Sequence, residues 1–444
     1  MHLMNPLPGL LLLLALAGCA SSSSTLERAS EHEQSFAIRN VRIFDGERVI
    51  PARSILVRGE RIAAVGEEVD TSGVAEVIDG QGQTLLPGLI DAHFHPDGPD
   101  AYRASLAFGI TTVIDLWVEY SSVILKTSVK GVASREDDEA DVLAALLITA
   151  PGGHGTEYGE FPFKPVTTSE ECRAEIKTQL EAGASFVKLV YDAGGAWSVK
   201  PVPTLSREVL ADCIREAHAR GVLAVVHAWT LRESREAAEA GADVLAHGVI
   251  DTPPDMAYAQ LLAARGVVMI PTLAVGSAVD RHNAEEILAD PRLEPYLSLN
   301  GLKTLKSTFP DEFGHGMKPT VLKESLRLLK AAHVPLLAGS DAANPQIAAG
   351  ASLHQELEML VAAGLTSLEA LTAATSLPAS RFRLSDRGRI APGQRADLLL
   401  VRGDPTADIR MTRDIVAVWK RGKKLDREAY RVRVDAARRE SGKP

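Results

Sequence analysis

The sequence predicts an α/β fold, a closed (β/α)8 barrel carrying a small β-sandwich assembled from both flanks of the chain. Eight apolar runs, at 85–95, 110–117, 142–150, 186–191, 223–229, 244–249, 267–273 and 335–340, mostly alternate with amphipathic segments such as 169–182, 206–220, 231–240 and 353–363. Continuous apolar strands separated by helices indicate a parallel sheet covered on its faces, and eight such units suggest a closed barrel. Polar residues gather at the C-terminal ends of the runs, where that fold builds its sites. Before the first run, short alternating stretches are broken by Asp45-Gly46 and Arg58-Gly59, and the same texture returns at 396–401 and 415–420. These read as antiparallel strands with tight turns.

The expected organisation is a β-sandwich from 36–84 and 385–425, a barrel over 85–384 and a charged, helical, partly frayed tail over 426–444. Residues 276–333 are too long for one crossover helix and contain Pro291, Pro295, Gly301, Pro310 and Pro319. Several short helices and a loop are expected there, in the position of an active-site lid.

Residues 7–17 are apolar but too short to span a bilayer comfortably, and they run into Leu16-Ala17-Gly18-Cys19-Ala20 and a serine tract. This resembles a bacterial lipoprotein signal, with 1–18 removed, Cys19 lipidated and 19–35 a polar tether. The first nine residues depart from that pattern in having no Lys or Arg. The expected location is the cell envelope, lipid-anchored at the outer membrane and facing the periplasm; a soluble periplasmic or secreted protein is the alternative.

Hydrophobic residues make up 45% of the 444, enough for a large core. A net charge of -10 and a pI of about 5.7 argue against a nucleic-acid partner. Of three cysteines, Cys19 is assigned to the lipid. Cys172 and Cys213 lie in helix-like segments without CxxC spacing, and two buried thiols are expected in preference to a disulfide.

The chemistry concentrates at strand ends. His93-Phe94-His95 closes the first run, and residues two apart in a strand share a face, so both imidazoles can reach one metal ion. Lys188 interrupts the apolar Phe186-Val187-Lys188-Leu189-Val190. A buried amine loses its proton readily, and a neutral amine can add carbon dioxide to become an anionic carbamate bridging two metals. His227 and His247 end successive runs and are expected as further ligands, and Asp341 follows the last run, placed to bind a metal and accept a proton. His154, in Gly152-Gly153-His154-Gly155, together with Tyr191 and Trp229, is a candidate substrate contact. His282, His315 and His333 are expected in the lid or in solvent.

With these residues in place the chain resembles the amidohydrolase superfamily. The match is carried by Leu86-Pro87-Gly88-Leu89-Ile90-Asp91-Ala92-His93-Phe94-His95, Gly109-Ile110-Thr111-Thr112, Ala338-Gly339-Ser340-Asp341-Ala342 and Arg387-Gly388-Arg389-Ile390-Ala391-Pro392-Gly393. Lys188 and the Gly-Gly-His-Gly segment are similar to the branch of imidazolonepropionase-related proteins and Xaa-Pro dipeptidases. That branch often carries a distinctive Arg after its second strand, where this chain has Asp115-Leu116-Trp117. The resemblance implies two divalent metal ions, Zn2+ by preference, held by His93, His95, the carbamate of Lys188, His227, His247 and Asp341. It implies hydrolysis of an amide or peptide C–N bond in a dipeptide, N-acyl amino acid or cyclic amide by a metal-bridged hydroxide, with Asp341 as general base and acid. A mononuclear deaminase or ring-opening hydrolase is the alternative, although Thr230 stands where a deaminase would carry Glu. A non-catalytic ligand-binding lipoprotein is a third. Expected partners are the small substrate and, through the anchor alone, a membrane; association into a homo-oligomer is left open.

Overall fold

The computed structural model describes residues 35–96, 98, 100–117, 136–156, 164–278, 284–311 and 313–442. The lipidation candidate Cys19 and His282 lie outside them.

The N-terminal flank forms β1 (Ser35–Arg39), β2 (Arg42–Phe44), β3 (Val49–Ile50), β4 (Ser54–Arg58), β5 (Arg61–Gly66), β6 (Glu76–Asp79) and β7 (Gln83–Pro87). The barrel strands are β8 (Leu89–Phe94), β9 (Ile110–Asp115), β10 (Asp141–Ala144), β11 (Leu147–Ile148), β12 (Val187–Val190), β13 (Ala224–His227), β14 (Val244–Ala246) and β15 (Val268–Ile270). The C-terminal flank adds β16 (Leu398–Arg402), β17 (Ile415–Lys420) and β18 (Lys423–Lys424). A sheet ordered β5-β4-β1-β6 and one ordered β18-β17-β16-β7-β2-β3 share an apolar core in which the rings of Phe36 and Trp419 stack at 5.2 Å. Both flanks enter the second sheet because β7 pairs antiparallel with β16, from Leu398↔Pro87 to Arg402↔Gln83.

The apolar run 85–95 is therefore two strands in two structures. Gly88 permits the crossing: a Cβ there would lie 2.3 Å from Thr111 Oγ1. The third run is likewise divided, into β10 and β11. Parallel pairing runs β8-β9-β10 and β11-β12-β13-β14-β15. The eighth run, at 335–340, forms no regular ladder. It closes the ring through a parallel bridge from Met269 to Leu336 and through the backbone bonds Ala92 N–H to Ala338 C=O and Asp341 N–H to His93 C=O. One apolar cluster draws on the barrel strands, including Ile90, Ile114, Phe186, Val225, Val268 and Leu337, and a larger one lies with the surrounding helices.

The helices begin where short polar side chains cap them. Thr168, Ser206 and Thr230 each accept a backbone N–H at the starts of Ser169–Glu181, Arg207–Ala219 and Leu231–Ala240. The first two of these helices pack side by side and bring Cys172 and Cys213 within 5.9 Å, Cα to Cα, in a disulfide. This corrects the expectation of two free thiols. Neighbouring helices in the outer ring bury their facing sides together, so cysteines remote in sequence come within bridging range. Closing a loop of this length is worth about 4 kcal/mol of unfolded-chain entropy. The charged C-terminal stretch is also docked where fraying was expected: in the helix Arg427–Ser441, Tyr430 and Val434 are buried and Arg438 donates to the carbonyls of Glu294 and Leu297. Among the described residues no helix is long and apolar enough to cross a membrane.

Sandwich and barrel are tied by a buried ion cluster. Asp141, at the start of β10, meets Arg387 Nη1 at 2.9 Å, Arg395 Nη1 at 2.7 Å and Lys420 Nζ at 2.8 Å. Burial would raise the carboxyl's pKa, but the three cations together hold it well below the usual range. Its contribution to stability is thus complete above the unfolded value near ~4 and is lost as pH falls through the lower folded value. Removing the anion leaves Arg395 and Arg387 to Asp397 and Asp386 and Lys420 to two carbonyls, uncompensated by the charge that joins them, at a cost of up to about 3–5 kcal/mol. Asp141→Ala should lower the urea midpoint accordingly and flatten the acid limb of the stability profile; an unchanged midpoint would show that the cluster does not hold the units together.

Candidate metal centre

At the C-terminal ends of the strands the chain brings its six candidate ligands to one cavity of about 480 Å³. His93 and His95 come from β8 and its end, Lys188 from β12, His227 from the end of β13, and His247 from just beyond β14. Asp341 Oδ1 lies 3.2 Å from both His93 Nε2 and His95 Nε2, and Oδ2 lies 3.7 Å from His247 Nδ1. His247 Nε2 is 2.8 Å from His227 Nδ1. Among the described residues two groups have ligand atoms close enough to share an ion: His93 with His95 and Asp341, and His154 with Asp192 and His227.

Burial sets the protonation of this cluster. Desolvation drives His93 and His247 well below the ordinary histidine value and His227 down to about 4, leaving neutral rings that each carry one lone pair. For His95 burial pulls the same way, but the carboxylates of Asp115 and Asp341 outweigh it and raise the value. Lys188 Nζ is buried without a hydrogen-bond partner among the described residues, and desolvation lowers it to about 7, opposed by Asp341. An ammonium there faces mostly imidazoles, so the site suits a neutral amine or an anion made from it.

Two of these positions are held in unusual backbone. His247 has φ of 81° and Asp341 of 58°, in the left-handed region that side chains other than glycine seldom adopt. Such strain persists only where surroundings enforce it. At Asp341 they do: the buried carboxylate of Asp91 accepts from Ser340 N–H at 2.9 Å and Ser340 Oγ–H at 2.6 Å, pinning the preceding residue to β8.

Trp229 lines the cavity with its ring stacked on His247 at 4.1 Å, and His154 also lines it, 4.8 Å from His227. Tyr191 does not. Its neighbours Lys188 and Val190 face the cavity, whereas its hydroxyl donates to Glu236 Oε2 at 2.5 Å on the outer helix. The alternation of a strand decides this. His315 and His333 are exposed, away from the centre. Residues 276–333 do hold short helices, Glu285–Ala289 and Leu299–Lys306 among them, and contribute Phe309, Pro310, Phe313 and Met317 to the cavity wall.

Residues 84–425 match the amidohydrolase family. The chain belongs to that family. An imidazolonepropionase of Cereibacter sphaeroides is 24% identical over 408 residues, 84% of this chain and 94% of that protein. A dihydroorotase of a Wolbachia species is 35% identical over 100 residues, 20% of this chain and 23% of its own, so the chain matches less than a quarter of that relative's length. Among solved structures, a Xaa-Pro dipeptidase with methionine bound in its active site superposes with a TM-score of 0.71 at 22% identity, covering 88% of this chain and 99% of that one. An A. niger ochratoxinase gives 0.68 at 18%, covering 88% and 95%. At such identities the likeness is one of fold.

Several site residues of this amidohydrolase escaped the sequence reading. Asp192 accepts from Trp197 Nε1 at 2.6 Å and lies 2.9 Å from His227 Nε2, orienting that ring. Thr272 Oγ1 does the same for His247 Nδ1 at 2.8 Å. Asp192 shares the parity of Lys188 and Val190, and that was its available signal. Gly339 is fixed by space: a Cβ would lie 2.5 Å from Ile270 Cγ2 and 2.7 Å from His93 Cβ. Gly339→Ala should therefore cost about 1–3 kcal/mol and displace His93, read as a lower melting temperature with reduced metal content. A variant normal in both would show that the seam tolerates a methyl group.

Proposed function

We propose that this amidohydrolase cleaves the amide or peptide C–N bond of a small substrate, using two divalent metal ions, preferably Zn2+, and a carbamate on Lys188. The observation that carries the reading is the buried Lys188 Nζ, without a hydrogen-bond partner among the described residues, in a ring of His93, His95, His227, His247 and Asp341. The donor set fits the metals: neutral imidazoles supply lone pairs, and a carbamate would turn the one mismatched cation into an anionic ligand. When bound, the ions supply a Lewis acid and an acidified water.

The chain's own residues do the rest. Asp341 takes a proton from the attacking water and returns it to the leaving nitrogen as the C–O bond forms and the C–N bond breaks, with no redox partner needed. Asp192 and Thr272 fix the rings of His227 and His247. Trp229, packed on His247, helps exclude bulk water from the histidine cluster. The deaminase alternative has less support: Thr230, at the position a deaminase would use for Glu, caps the helix Leu231–Ala240.

Metal analysis of purified protein should give about two equivalents; one would favour a mononuclear site. Lys188→Ala should lose metal and most turnover, with short carboxylic acids partly restoring both, and full retention would exclude the carbamate. Asp341→Asn should lower kcat by ~10^2 or more while KM changes far less. Near-normal turnover would exclude Asp341 as the proton carrier.

A further inference from the structure

The side of the cavity away from the metal ligands is aromatic. Phe309 and Phe313 stack at 4.2 Å with their planes 6° apart, Phe313 continues to Trp197 at 5.8 Å, and Trp197 to His154 at 4.7 Å. This forms a column from partly exposed rings to the histidine that lies against His227. Trp117, edge-on to His95 at 6.0 Å, and Trp229 are further rings in the wall. Charge is distributed to match. Among the described residues lining the cavity, Lys188 is the sole lysine or arginine, and it sits at the base with the metal ligands. Asp341 lies there too, and Asp192 stands behind His227.

We infer that the cavity selects neutral amides bearing an aromatic or bulky apolar group, and selects against substrates with a free carboxylate on that group. The aromatic column supplies stacking surface for a planar substituent. A carboxylate placed there would be desolvated with no lysine or arginine other than Lys188 at the base among the described lining residues to meet it. The segment that supplies Phe309 and Phe313 lies within the long insertion before the last barrel run, so selectivity is carried by chain that the catalytic ligands do not use. For what happens to the bound molecule, the inference rests on the hydrolase reading.

The test compares benzanilide with its 4-carboxylate, which share an acyl group and a scissile bond and differ in the charge on the distal ring. Three of the four tryptophans, Trp117, Trp197 and Trp229, line the cavity, so quenching of intrinsic fluorescence reads binding without turnover. The metal-loaded protein should bind benzanilide at least 10-fold more tightly, with kcat/KM higher by a similar factor. Phe313→Ala should weaken benzanilide binding about 10-fold, and Phe313→Arg should reverse the preference. Tight, selective binding of benzanilide without turnover of either compound supports this inference and overturns the hydrolase reading. Turnover that favours the carboxylate overturns the inference and leaves hydrolysis standing. Failure of both compounds to quench also overturns it.

Discussion

The seam between β8 and the final barrel segment is the constraint on which the site depends. Residues 335–340 make no regular ladder, so closure relies on a few backbone bonds and on Asp91 gripping Ser340 from inside the wall. Burial pushes Asp91 up to about 7, against the bonds from Ser340 and His93 N–H that favour its charge. The grip sets Asp341 in its left-handed backbone with one oxygen equidistant from His93 and His95. Had an ordinary ladder closed the ring, the alternation of the strand would have dictated where that carboxylate pointed.

The same burial that costs the fold stability prepares the cluster chemically. Four imidazoles, an amine and a carboxylate in one desolvated space would repel or neutralise one another if all ionised. The histidines answer by staying mostly neutral, and Asp192 and Thr272 fix the rings of His227 and His247 by hydrogen bonds. Lys188 Nζ has no hydrogen-bond partner among the described residues. A polar site assembled on rigid strand ends, before any ligand arrives, is the preorganisation that electrostatic catalysis requires.

Much of this was legible in the chain. Period and run length gave the barrel, His93, His95, His227, His247 and Asp341 announced themselves as polar residues at the ends of apolar runs, and Lys188 as a charge inside one. What was hidden required the third dimension. Tyr191 and Asp192 are adjacent in sequence, yet strand alternation turns one outward and one inward, and the exact end of a strand is poorly marked locally. Cys172 and Cys213 pair because two helices happen to lie side by side in the ring, which spacing alone does not reveal. Phe309 and Phe313 of the aromatic wall come from an irregular insertion whose periodicity says little. The division of run 85–95 between two sheets was masked because both halves are equally apolar.

That division shapes how the molecule must be made. Thr84 Oγ1 donates to the carbonyl of Gly403, 319 positions along the chain, and β7 finds its partner β16 only there. During synthesis at ~5–20 residues per second, the apolar edge of β7 waits about 15–60 s for that partner to leave the ribosome. An unpaired, buried-type strand edge is an invitation to foreign strands. The barrel can collapse while it waits, but the sheet at its side is completed last, so the nascent chain carries an adhesive edge for most of its synthesis. A chaperone that covers it in that interval would serve the yield of folded protein more than any later repair.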